Sequence, residues 1–114
     1  MLVMAQVLSG VVVGLHVLFA YMETRGWSQM ARRFGMNAEQ TEATRALALN
    51  QGFYNLGLAL VLCWALVDGH TETVMAMLIY VIAMAVVGAV SVSKVILLIQ
   101  GVPAVLALVL WLLA

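Results

Sequence analysis

Four long apolar runs dominate the pattern of hydrophobic and polar positions along the chain. They cover Leu2 to Met22, Ala48 to Val67, Thr73 to Val92, and Lys94 to Ala114. Each is long enough to cross a bilayer, because a hydrocarbon core about 30 Å thick needs about 20 apolar residues per helix. None alternates between apolar and polar residues as barrel strands do. The pattern predicts an all-α membrane protein, a single domain over residues 1–114 with four transmembrane helices in a bundle.

The first run has the length of a span rather than of a signal peptide. A secretory signal carries a basic region before an apolar core of about 7–15 residues. Here no basic residue precedes the run, and the run is longer than such a core. We therefore expect it to be a retained helix.

A short amphipathic helix is predicted between the first two spans. In "TRGWSQMARRFG", the apolar residues Trp27, Met30, Ala31 and Phe34 recur at i, i+3, i+4 and i+7. That spacing places them on one helical face, and arginines and a glutamine occupy the others. Such a helix is suited to the interface between lipid headgroups and hydrocarbon.

The second span is predicted to begin well before its apolar part. Gly35 can end the amphipathic helix in a left-handed conformation, and Asn37 can cap a new helix with Glu39 in its first turn. No helix breaker follows before Gly52. A helix over residues 38–67 would be about 45 Å long, so its first three turns should stand outside the hydrocarbon.

Composition and charge agree with this picture and add an orientation. The chain is 66% hydrophobic and 9% charged, with a formal net charge of zero, far from the composition of soluble domains. All five basic residues lie on one side of the predicted membrane: Arg25, Arg32, Arg33, Arg45 and Lys94. By the positive-inside rule that side is cytoplasmic, which places both termini outside.

The first turns of the second span combine amides and a tyrosine with apolar residues. At 100° per residue, one side of this helix carries Asn50, Gln51, Tyr54, Asn55 and Gly57. Because unpaired amides facing lipid cost several kcal/mol, we expect this side to be a polar wall pointing into the bundle. Phe53, Leu56 and Leu60 would then face lipid.

Other spans carry polar residues at a similar predicted depth. On the first span, Ser9, His16 and Glu23 recur every seven residues and share one face, with Glu23 at the cytoplasmic boundary. Gln100 lies about 9 Å past Lys94. The third span has a face of Tyr80, Met84, Gly88 and Ser91, and in the fourth Pro103 frees the carbonyl of Ile99, a cause of kinks. Polar groups of all four spans are thus expected to meet in the cytoplasmic half.

The chain resembles the small bacterial integral membrane proteins of the family called domain of unknown function 1304. The resemblance rests on "LHVLFAYMET" at 15–24, "NQGFYNLGLAL" at 50–60 and "QGVPAVLAL" at 100–108. It implies a bacterial inner-membrane protein and no known activity. It draws attention to a set of residues without assigning any of them a catalytic role: His16, Glu23, Asn50, Gln51, Gly52, Tyr54, Asn55, Gln100 and Pro103.

Three functions are compatible with these observations. The first is binding or transport of a small polar or amphipathic molecule in a cytoplasm-facing pocket lined by His16, Glu23, Tyr54, Asn55 and Gln100, with Asn50 and Gln51 as further ligand-binding candidates. The second is a structural or assembly subunit, whose polar residues only specify helix packing; in a homo-oligomer the charge bias would make the subunits parallel. The third, an enzyme acting on a lipid-like substrate, lacks a nucleophile paired with a base and is disfavoured.

The remaining chemistry-bearing residues indicate no other function. The single cysteine, Cys63, allows no intramolecular disulfide, and His16 alone could not hold a metal. We therefore expect no metal, no cofactor and no catalytic residues. Nothing basic and aromatic suggests a nucleic-acid partner. The expected partners are membrane lipids.

The charge bias makes the orientation testable. Single cysteines introduced at Gln29 and Glu72, in a Cys63→Ala background, should react with a membrane-impermeant thiol reagent from opposite sides. Glu72 should be labelled in intact cells and Gln29 only after permeabilisation. Labelling of both positions in intact cells would contradict the orientation.

Overall fold

The computed structural model describes residues 1–114, and its regular structure is entirely helical. The helices are α1 (Leu2–Glu23), α2 (Trp27–Arg33), α3 (Ala38–Val67), α4 (Thr71–Ser91) and α5 (Lys94–Leu113). Four of them, α1, α3, α4 and α5, are long and apolar enough to cross a membrane, with mean hydropathies of 2.1, 1.4, 2.5 and 2.5 over their best windows. The predicted fold, a four-helix membrane protein with a short helix after the first span, is confirmed.

The four long helices form an up-and-down bundle in the cyclic order α1, α3, α4, α5. The pairs α1–α3 and α4–α5 pack most extensively, followed by α1 with α5, whereas α3 and α4 share a smaller contact. Both chain termini and the α3–α4 turn lie at one end. The other end, called the arginine end below, contains residues 24–37, the first turns of α3 and the turn at 92–93.

The apolar core lies in the half of the bundle nearer the termini. It consists of Val12, Leu62, Ala65, Val74, Leu78, Val81, Ala104 and Ala107, all fully or almost fully buried. Three of these eight are alanines, whose small side chains let the helix backbones approach closely. In lipid, helices associate through such packing, because burying apolar side chains gains nothing over contact with lipid tails.

The predicted start of the second span is confirmed in detail. Gly35 adopts a positive φ of 78°, which favours glycine because a side chain there would be strained. Asn37 then forms a capping box with Gln40: the Gln40 amide donates to the Asn37 side chain at 2.8 Å, and the Asn37 amide donates to the Gln40 side chain at 3.0 Å. The cap satisfies two amides that the first helical turn leaves free.

The short helix α2 packs along the first turns of α3. The indole of Trp27 donates to the Thr44 hydroxyl at 3.2 Å, and Arg45 donates to the Ser28 hydroxyl at 2.8 Å. Ala31 is fully buried between them. The three turns of α3 that precede its apolar part are thus covered on one side by the chain's own amphipathic helix.

Helix α5 is irregular just before its proline. A π-helical turn spans Leu97–Gly101, and regular α-helix resumes at Val102. Pro103 has no N–H for the Ile99 carbonyl and its ring crowds that turn. The predicted disturbance thus takes the form of a π-turn, a feature that often accommodates such residues.

The rotation predicted for α3 is wrong. Asn50, Gln51, Tyr54 and Gly57 are exposed, and Asn55 alone of the predicted inward wall is half-buried. The side that packs on α1 carries the smallest side chains instead: Ala48, Gly52 and Ala59. Close backbone approach therefore decides the rotation, and the amides at 50 and 51 lie near the end of the span, where water and headgroups can satisfy them.

The polar face predicted for the third span is also turned outward. Tyr80, Met84 and Ser91 are exposed, and α4 buries Val74, Leu78, Val81 and Ala85. The apolar side of α4 faces inward because it packs into the core described above. Gly88 remains a close-packing position, since a Cβ there would lie 2.9 Å from Ile96 Cγ2.

The corrected rotation gives a matched pair of glycine substitutions. A Cβ at Gly52 would lie 2.6 Å from Thr24 Cγ2 and 3.1 Å from the Ala20 carbonyl oxygen, whereas Gly57 has open space. We expect Gly52→Ala to destabilise the detergent-solubilised protein by about 1–3 kcal/mol through overpacking. Gly57→Ala should stabilise it by about 0.5–1 kcal/mol, since alanine is the better helix former. Thermal unfolding measures both, and equal shifts would contradict the packing.

Candidate functional site

Glu23 and Asn55 form a hydrogen bond between α1 and α3 at the arginine end. The Asn55 side-chain amide donates to a Glu23 carboxylate oxygen, and both residues are half-buried. Glu23 is the last residue of α1, and Asn55 lies one turn beyond Gly52, a position without room for a Cβ between the two segments. Of the seven residues predicted to bind a ligand, these are the two that bond to each other.

His16 is buried about 10 Å further into the bundle, seven residues before Glu23. Its Nδ1 lies 2.8 Å from the Val12 carbonyl oxygen of the preceding turn. The imidazole packs edge-on against Phe19, with the ring centroids 5.3 Å apart. Its one hydrogen bond is thus made within its own helix, and it has no bond to Glu23.

Gln100 belongs to the π-turn of α5 and reaches α4. Its side-chain amide donates to the Val81 carbonyl oxygen at 3.3 Å. A further polar contact joins α1 to α5 in the other half of the bundle, where the Trp111 indole donates to the Ser9 hydroxyl at 2.9 Å. Both contacts hold helices together, and neither includes His16.

Asn50, Gln51 and Tyr54 lie on the outside of the bundle. None of them makes a side-chain hydrogen bond within the protein, and Tyr54 is 68% exposed. Their groups are therefore free to meet headgroups, water or another chain. A ligand-binding role for the seven residues stays a prediction, but the structure does not bring them together.

The pocket predicted from the sequence does not coincide with either of the two surface grooves described below. Neither of the two best-defined grooves is lined by His16, Glu23, Tyr54, Asn55 or Gln100. Every buried side-chain nitrogen and oxygen already has a partner within the protein. Polar groups in the bundle are thus arranged to satisfy one another.

The larger groove runs between α1 and α3 at the arginine end and has a volume of about 540 Å³. One wall comes from α1 and the turn that follows it, and the other from α3. The lining residues are Val17, Ala20, Tyr21, Thr24 and Arg25 on the first wall and Leu49, Gly52, Phe53 and Leu56 on the second. Sequence reasoning assigned Phe53 and Leu56 to the lipid side and missed the groove. A glycine with leucines three residues before and four residues after it was the available signal, but a groove exists only once the partner helix is placed.

Arg25 is the one charged residue of this groove. The ion pairs of the protein join Arg45 to Glu42 at 2.7 Å and His70 to Asp68 at 3.9 Å. Arg25 therefore has no counter-ion, although Glu23 is only two residues away. The groove consequently combines apolar walls with one unpaired positive charge.

The second groove lies at the opposite end and is smaller, about 160 Å³. It includes the polar residues Gln6 and Thr71 beside Trp111. No group of three or more histidine, cysteine, aspartate or glutamate side chains is close enough to hold a metal ion.

The contact between Glu23 and Asn55 predicts an energetic coupling. Glu23→Ala and Asn55→Ala should each destabilise the protein, because either change leaves the other polar group half-buried without its partner. In a double-mutant cycle the two effects should fall short of additivity by about 1 kcal/mol, within the range measured for polar contacts in membrane bundles. Asn50→Ala, on the exposed face, is the control and should be nearly neutral. Additive effects of Glu23→Ala and Asn55→Ala would contradict the bond.

Comparisons with known proteins identify the family of the chain but supply no activity. A family model described as "Protein of unknown function (DUF1304)" matches residues 10–112. The uncharacterized protein YpaA of Lactococcus lactis subsp. lactis (strain IL1403) is 37% identical over 95 residues, which cover 78% of this chain and 80% of that protein. No solved structure matches. The chain is a bacterial-type multi-pass membrane protein and belongs to the DUF1304 family of proteins of unknown function.

Proposed function

We propose that the protein binds an amphipathic molecule in the groove between α1 and α3. The observation that carries the proposal is the combination of a groove of about 540 Å³, lined mainly by apolar side chains, with the unpaired Arg25. This volume falls within the range of about 300–1,000 Å³ typical of small-molecule sites. The apolar walls suit a hydrocarbon chain, and the arginine suits a polar or negative headgroup.

In this proposal Glu23 and Asn55, which were predicted to bind the ligand, instead hold the two helices of the groove together. The bond between Glu23 and Asn55 lies directly beside Gly52 and Thr24, which belong to the groove. It holds α1 and α3 in register, so that the groove exists before the ligand arrives. A preformed site loses less conformational entropy on binding.

The orientation follows the charge bias of the sequence. With all five basic residues on the cytoplasmic side, the arginine end lies at the cytoplasmic face of the bacterial inner membrane, and both termini lie outside. The groove then opens toward the cytoplasmic leaflet. An amphipathic molecule would reach it from that leaflet or from the cytoplasm.

A second candidate is a structural or assembly role. It is favoured by the finding that all buried polar side-chain atoms are satisfied within the chain, as in a network that only specifies packing. The exposed face of α3 with Asn50, Tyr54 and Gly57 would then contact a second copy or another subunit. Subunits of one orientation would meet in parallel, since the charge bias fixes one orientation.

The binding proposal can be tested by filling the groove. Leu49 lines it, and the equally apolar Leu60, which is 63% exposed, lies outside both grooves. Native mass spectrometry of the detergent-released protein should show one retained single-chain phosphocholine amphiphile on the wild type and on Leu60→Trp. Leu49→Trp should lose it, because the larger ring occupies the space of the chain.

Two results would overturn the binding proposal. One is that the wild type retains no amphiphile, and the other is that Leu49→Trp retains it as well as Leu60→Trp does. Thermal unfolding of both variants checks that the fold is intact. If Leu49→Trp unfolds early, Phe53→Ala, which widens the groove, should still lower retention relative to Leu60→Ala.

A further inference from the structure

We propose that the occupant of the α1–α3 groove is an anionic phospholipid, with its phosphate on Arg25 and an acyl chain along the apolar walls. This inference rests on the proposed function and names the class of molecule that the groove takes.

The dimensions of the groove match one leaflet. Arg25 lies two residues after the end of α1, and Val17 lies eight residues before Arg25 along the same segment. At 1.5 Å per residue the helical wall from Glu23 back to Val17 extends about 9 Å into the bundle. A leaflet provides about 15 Å of hydrocarbon, half of the usual core. The arginine thus lies at headgroup level and the apolar walls at acyl-chain level.

The charges at this level favour a negative headgroup. Arg25 has no protein counter-ion, and the nearest acid along the chain, Glu23, accepts a hydrogen bond from Asn55 instead. Arg45 is occupied by Glu42 and Ser28. The Arg25 main-chain N–H also donates to no carbonyl in the turn after α1. A guanidinium and a free amide on one residue are well matched to phosphate oxygens.

The walls favour a lipid over a free phosphate ion. Beyond Arg25 the only polar wall residues are Tyr21 and Thr24. The Thr24 hydroxyl already donates to the Ala20 carbonyl at 2.6 Å, so it has no proton left for an anion. Tyr21 is 57% exposed and presents an amphipathic ring suited to the headgroup level. One cation and a largely apolar surface would bind an isolated phosphate weakly.

Gly52 keeps the floor of the groove closed. A Cβ at residue 52 would lie only 2.6 Å from Thr24 Cγ2. The α3 backbone at Gly52 is therefore in direct contact with the end of α1. The acyl chain would consequently lie on a continuous surface formed by Ala20 and Gly52. Phe53 and Leu49 stand on its α3 side.

Competition between two lipids tests the inference. The detergent-solubilised protein is incubated with equimolar phosphatidylglycerol and phosphatidylcholine of the same acyl chains, and native mass spectrometry counts the lipid retained. The wild type should retain phosphatidylglycerol in about fivefold preference, the effect expected of one basic residue facing an anionic headgroup. Arg25→Gln should still retain one lipid but lose the preference. Arg33→Gln removes another exposed, unpaired charge that does not line the groove and should keep the preference.

The possible outcomes separate this inference from the proposed function. Equal retention of both lipids by the wild type, with binding still abolished by Leu49→Trp, overturns the anionic specificity and leaves the binding function standing. An equal loss of preference in Arg25→Gln and Arg33→Gln also overturns the inference, because the lipid is then attracted by the overall positive charge of this end and not by Arg25. With inorganic phosphate in place of lipid we expect no retained adduct; an adduct that depends on Arg25 would overturn the assignment to a lipid.

Discussion

The close approach of α1 and α3 at Gly52 is the contact on which the rest of the structure depends. A methyl group at this position would overlap the Thr24 side chain, so the two backbones can meet only because residue 52 has no side chain. The contact fixes the rotation of α3, and with it the outward position of Tyr54. It also brings Asn55 within hydrogen-bonding distance of Glu23 and creates the groove beside it. In a bilayer such close packing stabilises the association of helices, as the burial of apolar surface does in water.

Polar groups inside the bundle act as specific links between particular helices. Asn55 links α3 to α1, Trp111 links α5 to α1, and Gln100 links α5 to α4. Each link stabilises one register, because a shift by one residue would leave a donor unpaired in an apolar environment. The α3–α4 pair shares the smaller helix contact, and its polar side-chain contact, between Asp68 and His70, lies in the turn. The two helices are joined by a short turn, which needs no further specification.

The proposed functional surface consists of exposed groups that take no part in these links between helices. Buried polar atoms all have partners, so the groups available to another molecule lie on the outside of the bundle, among them those at the arginine end. There the unpaired Arg25 stands at the end of an apolar groove, while the neighbouring Arg45 is already engaged with Glu42. The combination of charge, depth and apolar walls points to a lipid-like molecule, and the rigid α1–α3 contact behind it keeps the groove in shape.

The sequence by itself determined the secondary structure and the number of spans, since these depend on local properties: run length, the Asn37 cap, the positive φ at Gly35 and the proline at 103. It also determined that Glu23 and His16 share a helical face. It did not determine which side of α3 faces inward, because amides can be satisfied either by a partner helix or by headgroups, and only the approach of α1 decides between them. For the same reason the groove at Arg25 belongs to the tertiary structure: it is a space between two helices, and no single segment encodes it.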